Sequence, residues 1–152
     1  MKRLEIKPQL NFLTDEFYET FKECKEILAK KSRPYSTAIF EVDQLVFAIP
    51  FRTNINHKYS YIFKTSDHAL KSGLDFTKAV IISKDLIGDV AFINPEEYAE
   101  FLENRHSIAK DFQRFVKNYK KWMKKPIEHR PIAVMKYCTL KYFHKELRIF
   151  EQ

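Results

Sequence analysis

Apolar and polar positions alternate along this chain with two periods. After a short apolar stretch at residues 3–7 that ends on Pro8 and predicts a first strand, Leu13, Phe17, Phe21, Cys24 and Leu28 recur at helical spacing. Thr14 stands where an N-cap belongs, and Asp15 and Glu16 fall in the first turn, where they oppose the helix dipole. Lys30-Lys31 suits the C-terminal end of that helix and Pro34 closes it. Over residues 35–53 the period changes to two. Ala38, Phe40 and Val42 alternate with Thr37, Ile39 and Glu41, Asp43-Gln44 makes a tight connection, and Val46-Phe47-Ala48-Ile49 runs on into Pro50-Phe51-Arg52-Thr53. That is a hairpin, and its near-continuous apolar character predicts strands covered on both faces or a barrel-like sheet.

Further strands are expected at Tyr61–Thr65, at Lys78–Ser83 and, shorter, at Val90–Ile93, with Gly73 and Gly88 marking turns. Asn94-Pro95-Glu96-Glu97 is a strong helix start, with Asn as N-cap and Pro at the first helical position. The helical pattern runs towards Lys125 with a possible break near Asn104, and Pro126 stops it. Pro131 opens a last helix through Tyr137, Leu140, Phe143 and Leu147. A strand, a helix, several antiparallel strands and then helices make an α+β fold. No internal repeat interrupts it, and 152 residues fit one domain with a single core.

Charge sharpens the picture. The 27 Lys and Arg against 20 Asp and Glu give a net charge of +7, which favours polyanionic partners. Within residues 105–125, Ile108, Phe112, Phe115, Tyr119 and Trp122 form an apolar stripe. Lys110, Arg114, Lys117, Lys121 and Lys124 step in the same way, two residues out of phase, so the basic stripe lies opposite the apolar one. A solvated outer face usually mixes signs, whereas here Asp111 is the single acid between Lys110 and Lys125. Like charges four residues apart cost helix stability, a cost that bound phosphates offset. Solvation of an ordinary basic face is the plainer alternative.

Candidate chemistry lies in Arg52-Thr53-Asn54-Ile55-Asn56-His57-Lys58, directly after the apolar strand. Groups at a strand end are held in place yet face solvent. A guanidinium, a hydroxyl, an imidazole and an ammonium are what RNA cleavage by the 2′-hydroxyl needs: a base for the 2′ proton, cations for the phosphorane, and an acid for the leaving 5′ oxygen. An ordinary basic loop would contain the same residues. In Tyr59–Ser66, strand alternation sends Ile62 and Lys64 to one face and Tyr61, Phe63 and Thr65 to the other. Lys64 then either enters a cleft or guards an edge strand against aggregation. Exposed tyrosines stack bases in some proteins and only pack in others.

Several classes lack support. No GxxxxGK[ST] or GxGxxG occurs. His57, His68, His106, His129 and His144 show no metal-ligand spacing, so no metal or other cofactor is expected. Cys24 and Cys138 form no CxxC and read as inert thiols, although a Cys-His nucleophile stays open. No apolar run reaches the about 18 residues of a membrane span, and Met1-Lys2-Arg3 is followed by Leu4-Glu5-Ile6 and no signal-peptide apolar region, so a cytoplasmic protein is expected.

Ala48-Ile49-Pro50-Phe51-Arg52-Thr53-Asn54, His57-Lys58-Tyr59, and Phe63-Lys64 before Gly73-Leu74-Asp75-Phe76 resemble the ToxN/AbiQ-type endoribonuclease toxins of type III toxin–antitoxin systems, with the CptN/TenpN branch nearest. The resemblance implies a twisted antiparallel, barrel-like sheet core with surrounding helices. It implies metal-independent RNA cleavage leaving 2′,3′-cyclic phosphate. It also implies a small pseudoknotted antitoxin RNA, processed and then held by the toxin in a closed protein–RNA ring. Cellular or phage RNA would be the substrate. Thr53 occupies the place of the family's hydroxyl residue after the strand-end proline, and Lys64 matches the lysine of the following strand. Where some members carry a lysine, this chain has Ile55, so His57 or Lys58 has to supply that function. The expected roles are His57 as general acid or base, Arg52 and Lys64 on the phosphorane, and Thr53 positioning the 2′-hydroxyl or a phosphate oxygen. Tyr35, Lys58 and the Lys110–Lys125 stripe would hold RNA, with one groove serving substrate and antitoxin. The rival readings are a non-catalytic nucleic-acid-binding module and a structural protein whose basic stripe is incidental.

Overall fold

The computed structural model describes residues 10–24, 26–27, 36–65 and 70–149. The strand expected at residues 3–7, the Lys30-Lys31 helix end and Tyr35 lie outside them. Strands β1 (Leu10–Leu13), β2 (Thr37–Val42), β3 (Leu45–Arg52), β4 (Ser60–Ile62), β5 (Gly73–Asp75), β6 (Val80–Ile82) and β7 (Ile87–Ala91) form one antiparallel sheet. Helices α1 (Asp15–Thr20), α2 (Pro95–Trp122) and α3 (Ile132–Tyr137) pack on it. The fold is α+β, as the order of periods predicts. Among the described residues the sheet follows the path β4-β5-β3-β2-β1-β7, with β6 beside β3, and does not close into a barrel. The apolar hairpin instead reflects cover on both faces. On one side Phe47 meets Phe112 and Phe51 meets Phe101, both of α2, with ring centroids 5.0 and 6.0 Å apart. On the other, Ala48 and Pro50 line a crevice with Phe17 of α1.

The hairpin turns on Asp43 and Gln44, both with positive φ (52° and 69°), the twist-compatible turn that a two-residue connection selects. Helix α1 stops far short of the expected span. Leu13 is buried because it is in β1, paired with Ile87, and Thr20 turns its hydroxyl back to Glu16 O at 2.8 Å. Beyond it the chain continues in turns that pack Phe21 on Phe17 and Phe143. Helix α2 begins at Asn94, whose Oδ1 accepts from Glu96 N at 2.8 Å. It runs unbroken through Asn104, whose amide folds back onto Glu100 O at 3.0 Å and so does not compete with the helix. The last helix is shorter than its pattern. Cys138 is extended, and the Thr139 hydroxyl donates to Thr77 O (3.2 Å) and Ala79 O, drawing the chain into a 3₁₀ turn at Thr139–Phe143.

Gly73 and Gly88 lie in strands, not turns. A Cβ on Gly73 would sit 1.9 Å from Tyr61 O, so the glycine is what lets β4 approach β5. No helix among the described residues is long and apolar enough to cross a membrane.

Candidate active site

The site grows from one proline. Phe51 N donates to Ser36 O on the β2 side, so by alternation Pro50 turns its missing N–H towards the opposite edge of β3. That edge carries β5 (Phe51↔Leu74, Arg52↔Gly73) and then β6 (Ala48↔Val80, Phe47↔Ile81). Between the two, where Pro50 offers no donor, the chain leaves the ladder in a 3₁₀ turn, Phe76–Lys78, capped by Asp75. Asp75 and Arg52 are thereby set on the face of the sheet that holds Ala48 and Pro50, the face turned away from α2.

The Asp75 carboxylate is fully buried and satisfied by four donors. Oδ2 accepts from Arg52 Nη1 at 2.8 Å. Oδ1 accepts from Thr77 N at 3.0 Å, from Thr77 Oγ1 at 2.6 Å and from His57 Nε2 at 3.1 Å. Burial pushes its pKa up, but the bonds from His57, Thr77 and Arg52 outweigh burial and hold the carboxyl below its ordinary value. A buried charge persists only when paired in this way.

His57 takes its tautomer from the same network. Its Nδ1 accepts from Tyr59 N at 3.1 Å, so the ring proton belongs on Nε2, aimed at Asp75. Nδ1 is then the atom for proton transfer, and it is reached by displacing one backbone N–H. The loop rests on α2, because the Tyr59 ring lies 5.8 Å from Phe115 and 5.6 Å from Trp122. Lys58 is exposed, its Nζ 5.5 Å from the Tyr59 ring centroid.

Of the expected catalytic residues, Arg52 and His57 are brought together on Asp75, and exposed Thr53 follows Arg52 at the start of the loop. Lys64 is not part of this group. Register sets Ser60 opposite Asp75, and Lys64 lies four residues further along, past the end of β4. That strand ends early because Glu100 of α2 captures the backbone. Its carboxylate accepts from Tyr61 Oη at 2.5 Å, Lys64 N at 3.0 Å and Thr65 N at 2.9 Å.

Lys110, Arg114, Lys117, Lys121 and Lys124 are all exposed, while Ile108, Phe112, Phe115 and Tyr119 are buried. Phe115 and Trp122 face the Tyr59 loop, so the basic stripe faces away from the Asp75 corner and one groove does not hold both. Among the described residues the stripe has one ionic contact, exposed Arg114 to half-exposed Asp111 at 3.6 Å. Cys138 is buried and its thiol is pushed up to about 12, chiefly by burial, which leaves it inert; Cys24 is half-buried. Among the described residues, no group of three His, Cys, Asp or Glu side chains could hold a metal ion.

Sequence reasoning missed Asp75, Glu100 and Lys78. Two signals pointed to Asp75: a proline inside an apolar strand, which demands a break in its partner, and an acid between Leu74 and Phe76 followed by Thr77, an Asx-type cap. Lys78 closes the 3₁₀ turn that Asp75 opens. Lys78 is half-buried, and burial lowers its pKa against the opposing pull of Asp75. Comparison with known proteins finds no matching family model, curated protein or solved structure.

Proposed function

We propose that this chain is an endoribonuclease that cleaves RNA by attack of the 2′-hydroxyl, without a metal, leaving a 2′,3′-cyclic phosphate. The observation that carries the reading is the Asp75 corner, where one fully buried carboxylate orients an imidazole and a guanidinium at the solvent-facing end of a sheet. Asp75 holds His57 in the tautomer that leaves Nδ1 as base for the 2′ proton, and the leaving 5′ oxygen, on the opposite side of phosphorus, takes its proton from water. Arg52 gives one arm to Asp75 and keeps its remaining N–H groups for the phosphorane oxygens. Thr53 supplies a hydroxyl beside it. The role of Lys64 rests on the family resemblance alone.

The resemblance also supplies the biological setting: a cytoplasmic toxin, acting on cellular or phage RNA, that processes and is then inhibited by a pseudoknotted antitoxin RNA in a closed ring. The placement of the basic stripe supports a folded partner. The stripe and the corner face different ways, so an RNA that engages both has to span two sides of α2, which a larger folded RNA can do and a strand of a few nucleotides is too short to do.

A non-catalytic RNA-binding module is the second reading. What favours it is that both His57 nitrogens are already engaged within the protein. Incubation of long RNA in EDTA separates the two. The unaltered chain, made by cell-free synthesis, is expected to cleave and leave cyclic-phosphate ends, and His57→Ala to lose at least about 100-fold in rate. Lys64→Ala, run beside it, keeps or ends the role given to Lys64. Binding without cleavage by the unaltered chain replaces the nuclease with the binding module.

A further inference from the structure

Tyr137, the last residue of α3, is 49% exposed, although its neighbours Cys138 and Thr139 are buried. Two ammonium groups flank its ring, Lys136 Nζ at 5.4 Å and Lys78 Nζ at 5.7 Å from the centroid. The backbone that carries the ring is fixed in place from beneath. Lys78 Nζ donates to Tyr137 O at 2.9 Å, and the Thr139 hydroxyl donates to Thr77 O at 3.2 Å and also to Ala79 O. Both anchors are hydrogen bonds to the short turn that Asp75 caps, so the backbone under the ring is tied to the corner. Lys78 also lines the crevice beside Pro50, the β3 residue next to Phe51 and two before Arg52.

A half-exposed aromatic ring, two ammonium groups over it that a stacking base would displace towards its phosphates, and a backbone tie to the corner that holds Arg52 form the pattern of a single-stranded nucleic-acid subsite. The face stacks a base, and the cations take the adjoining phosphates. Half of Tyr137 is left in solvent, and Lys78 bonds the Tyr137 carbonyl while its ammonium stays close to the ring. We propose that Tyr137 is the stacking platform for a nucleobase next to the phosphate bound at the Asp75 corner, with Lys78 and Lys136 as its phosphate contacts. This rests on the reading of the corner as an RNA site and adds the residue that sets preference at one nucleotide.

The test uses the full chain and single-stranded oligoribonucleotides of about ten nucleotides, the scale of one such site. Affinity is followed by fluorescence anisotropy and cleavage position by mapping. Tyr137→Leu, which keeps apolar bulk without a π-face, is expected to weaken binding by roughly 10- to 100-fold. Tyr137→Phe and Tyr137→Trp should stay close to the unaltered chain. Thermal melts of all four chains confirm that each is folded. An abasic nucleotide moved along the oligonucleotide should weaken binding to the unaltered chain most at one position, and that position should no longer matter to Tyr137→Leu. Unchanged affinity of folded Tyr137→Leu, or equal sensitivity of both chains at every abasic position, overturns the platform even if cleavage is intact. If the unaltered chain binds and does not cleave, the nuclease reading ends while the platform is still judged on binding. No binding of any oligoribonucleotide overturns both.

Discussion

The Asp75 corner and the outer face of α2 hold charge in opposite ways. In the corner a carboxylate with no solvent exposure meets Arg52, His57 and Thr77, and each contact is a specific hydrogen bond. On α2, Lys110, Arg114, Lys117, Lys121 and Lys124 stand in solvent with a single acid, Asp111, in loose contact. The corner is assembled by folding and contributes to stability. The stripe exists despite folding, since like charges at helical spacing oppose it. Removing charge from the two regions should therefore move stability in opposite directions, although both changes reduce function.

The largest effect is expected at Asp75. Asp75→Ala leaves Thr77 N–H and the His57 ring N–H without their acceptor, and should cost about 3 kcal/mol, or roughly 10 °C in Tm for a chain of this size. Asp75→Asn keeps the shape and loses the charge. Cleavage should fall at least about 100-fold, with an altered pH–rate profile, because no carboxylate remains beside His57 to stabilise the imidazolium that forms when it takes the proton. The stability difference between Asp75→Asn and the unaltered chain has a defined sign with pH. Because the folded pKa is below the unfolded one, Asp75 stabilises fully above about pH 5, and the gain is lost as pH falls below about 4. Denaturant melts across that range check it. A gap that widened on acidification would mean the carboxylate is not the held anion described here.

A smaller effect of opposite sign is expected from exchanging Lys110, Arg114, Lys117, Lys121 and Lys124 for Gln together. Relief of like-charge neighbours, each worth about 0.2–0.5 kcal/mol, should leave Tm unchanged or raised. Affinity for a folded RNA should drop roughly 10- to 100-fold, with the slope of log K against log salt shallower by about 0.7–0.9 for each phosphate that is no longer neutralised. Folded RNA should suffer more than a short single strand, because the stripe faces away from the corner. Equal losses for both would bring the two regions back into one groove.

The two regions were also unequally legible. The stripe could be read from the sequence because helical spacing is local, and Asn94-Pro95 announced where the helix begins. The hairpin was legible for the same reason, since its pairing spans a two-residue turn. The corner depends on pairing between β3 and β5, some twenty residues apart, and on an interruption marked in the sequence only by Pro50 and by the Asx-type cap at Asp75. Arg52 and His57 stood out by residue type, but their common partner did not. The α1 pattern failed in the reverse manner. Leu13 and Phe17 are both buried, one by a strand and one by a helix, and a spacing of four cannot tell the two apart.

Glu100 shares properties of both regions and gives the most local of these effects. It lies on α2 yet is buried, and its carboxylate accepts Tyr61 Oη, Lys64 N and Thr65 N. Burial raises its pKa, but those three bonds together hold it below the ordinary value. In Glu100→Gln one oxygen becomes an amide that donates, so at least one of the three donors loses its acceptor. The expected cost is about 1–3 kcal/mol, felt mainly where Lys64 and Thr65 are pinned. Hydrogen exchange at the Lys64 and Thr65 amides should rise more than in the β2–β3 hairpin. If exchange rises and cleavage falls with it, Lys64 has to be held by its backbone in order to act. If exchange rises and cleavage is unmoved, Lys64 is a gatekeeper at the end of β4, and the chemistry belongs to the Asp75 corner alone.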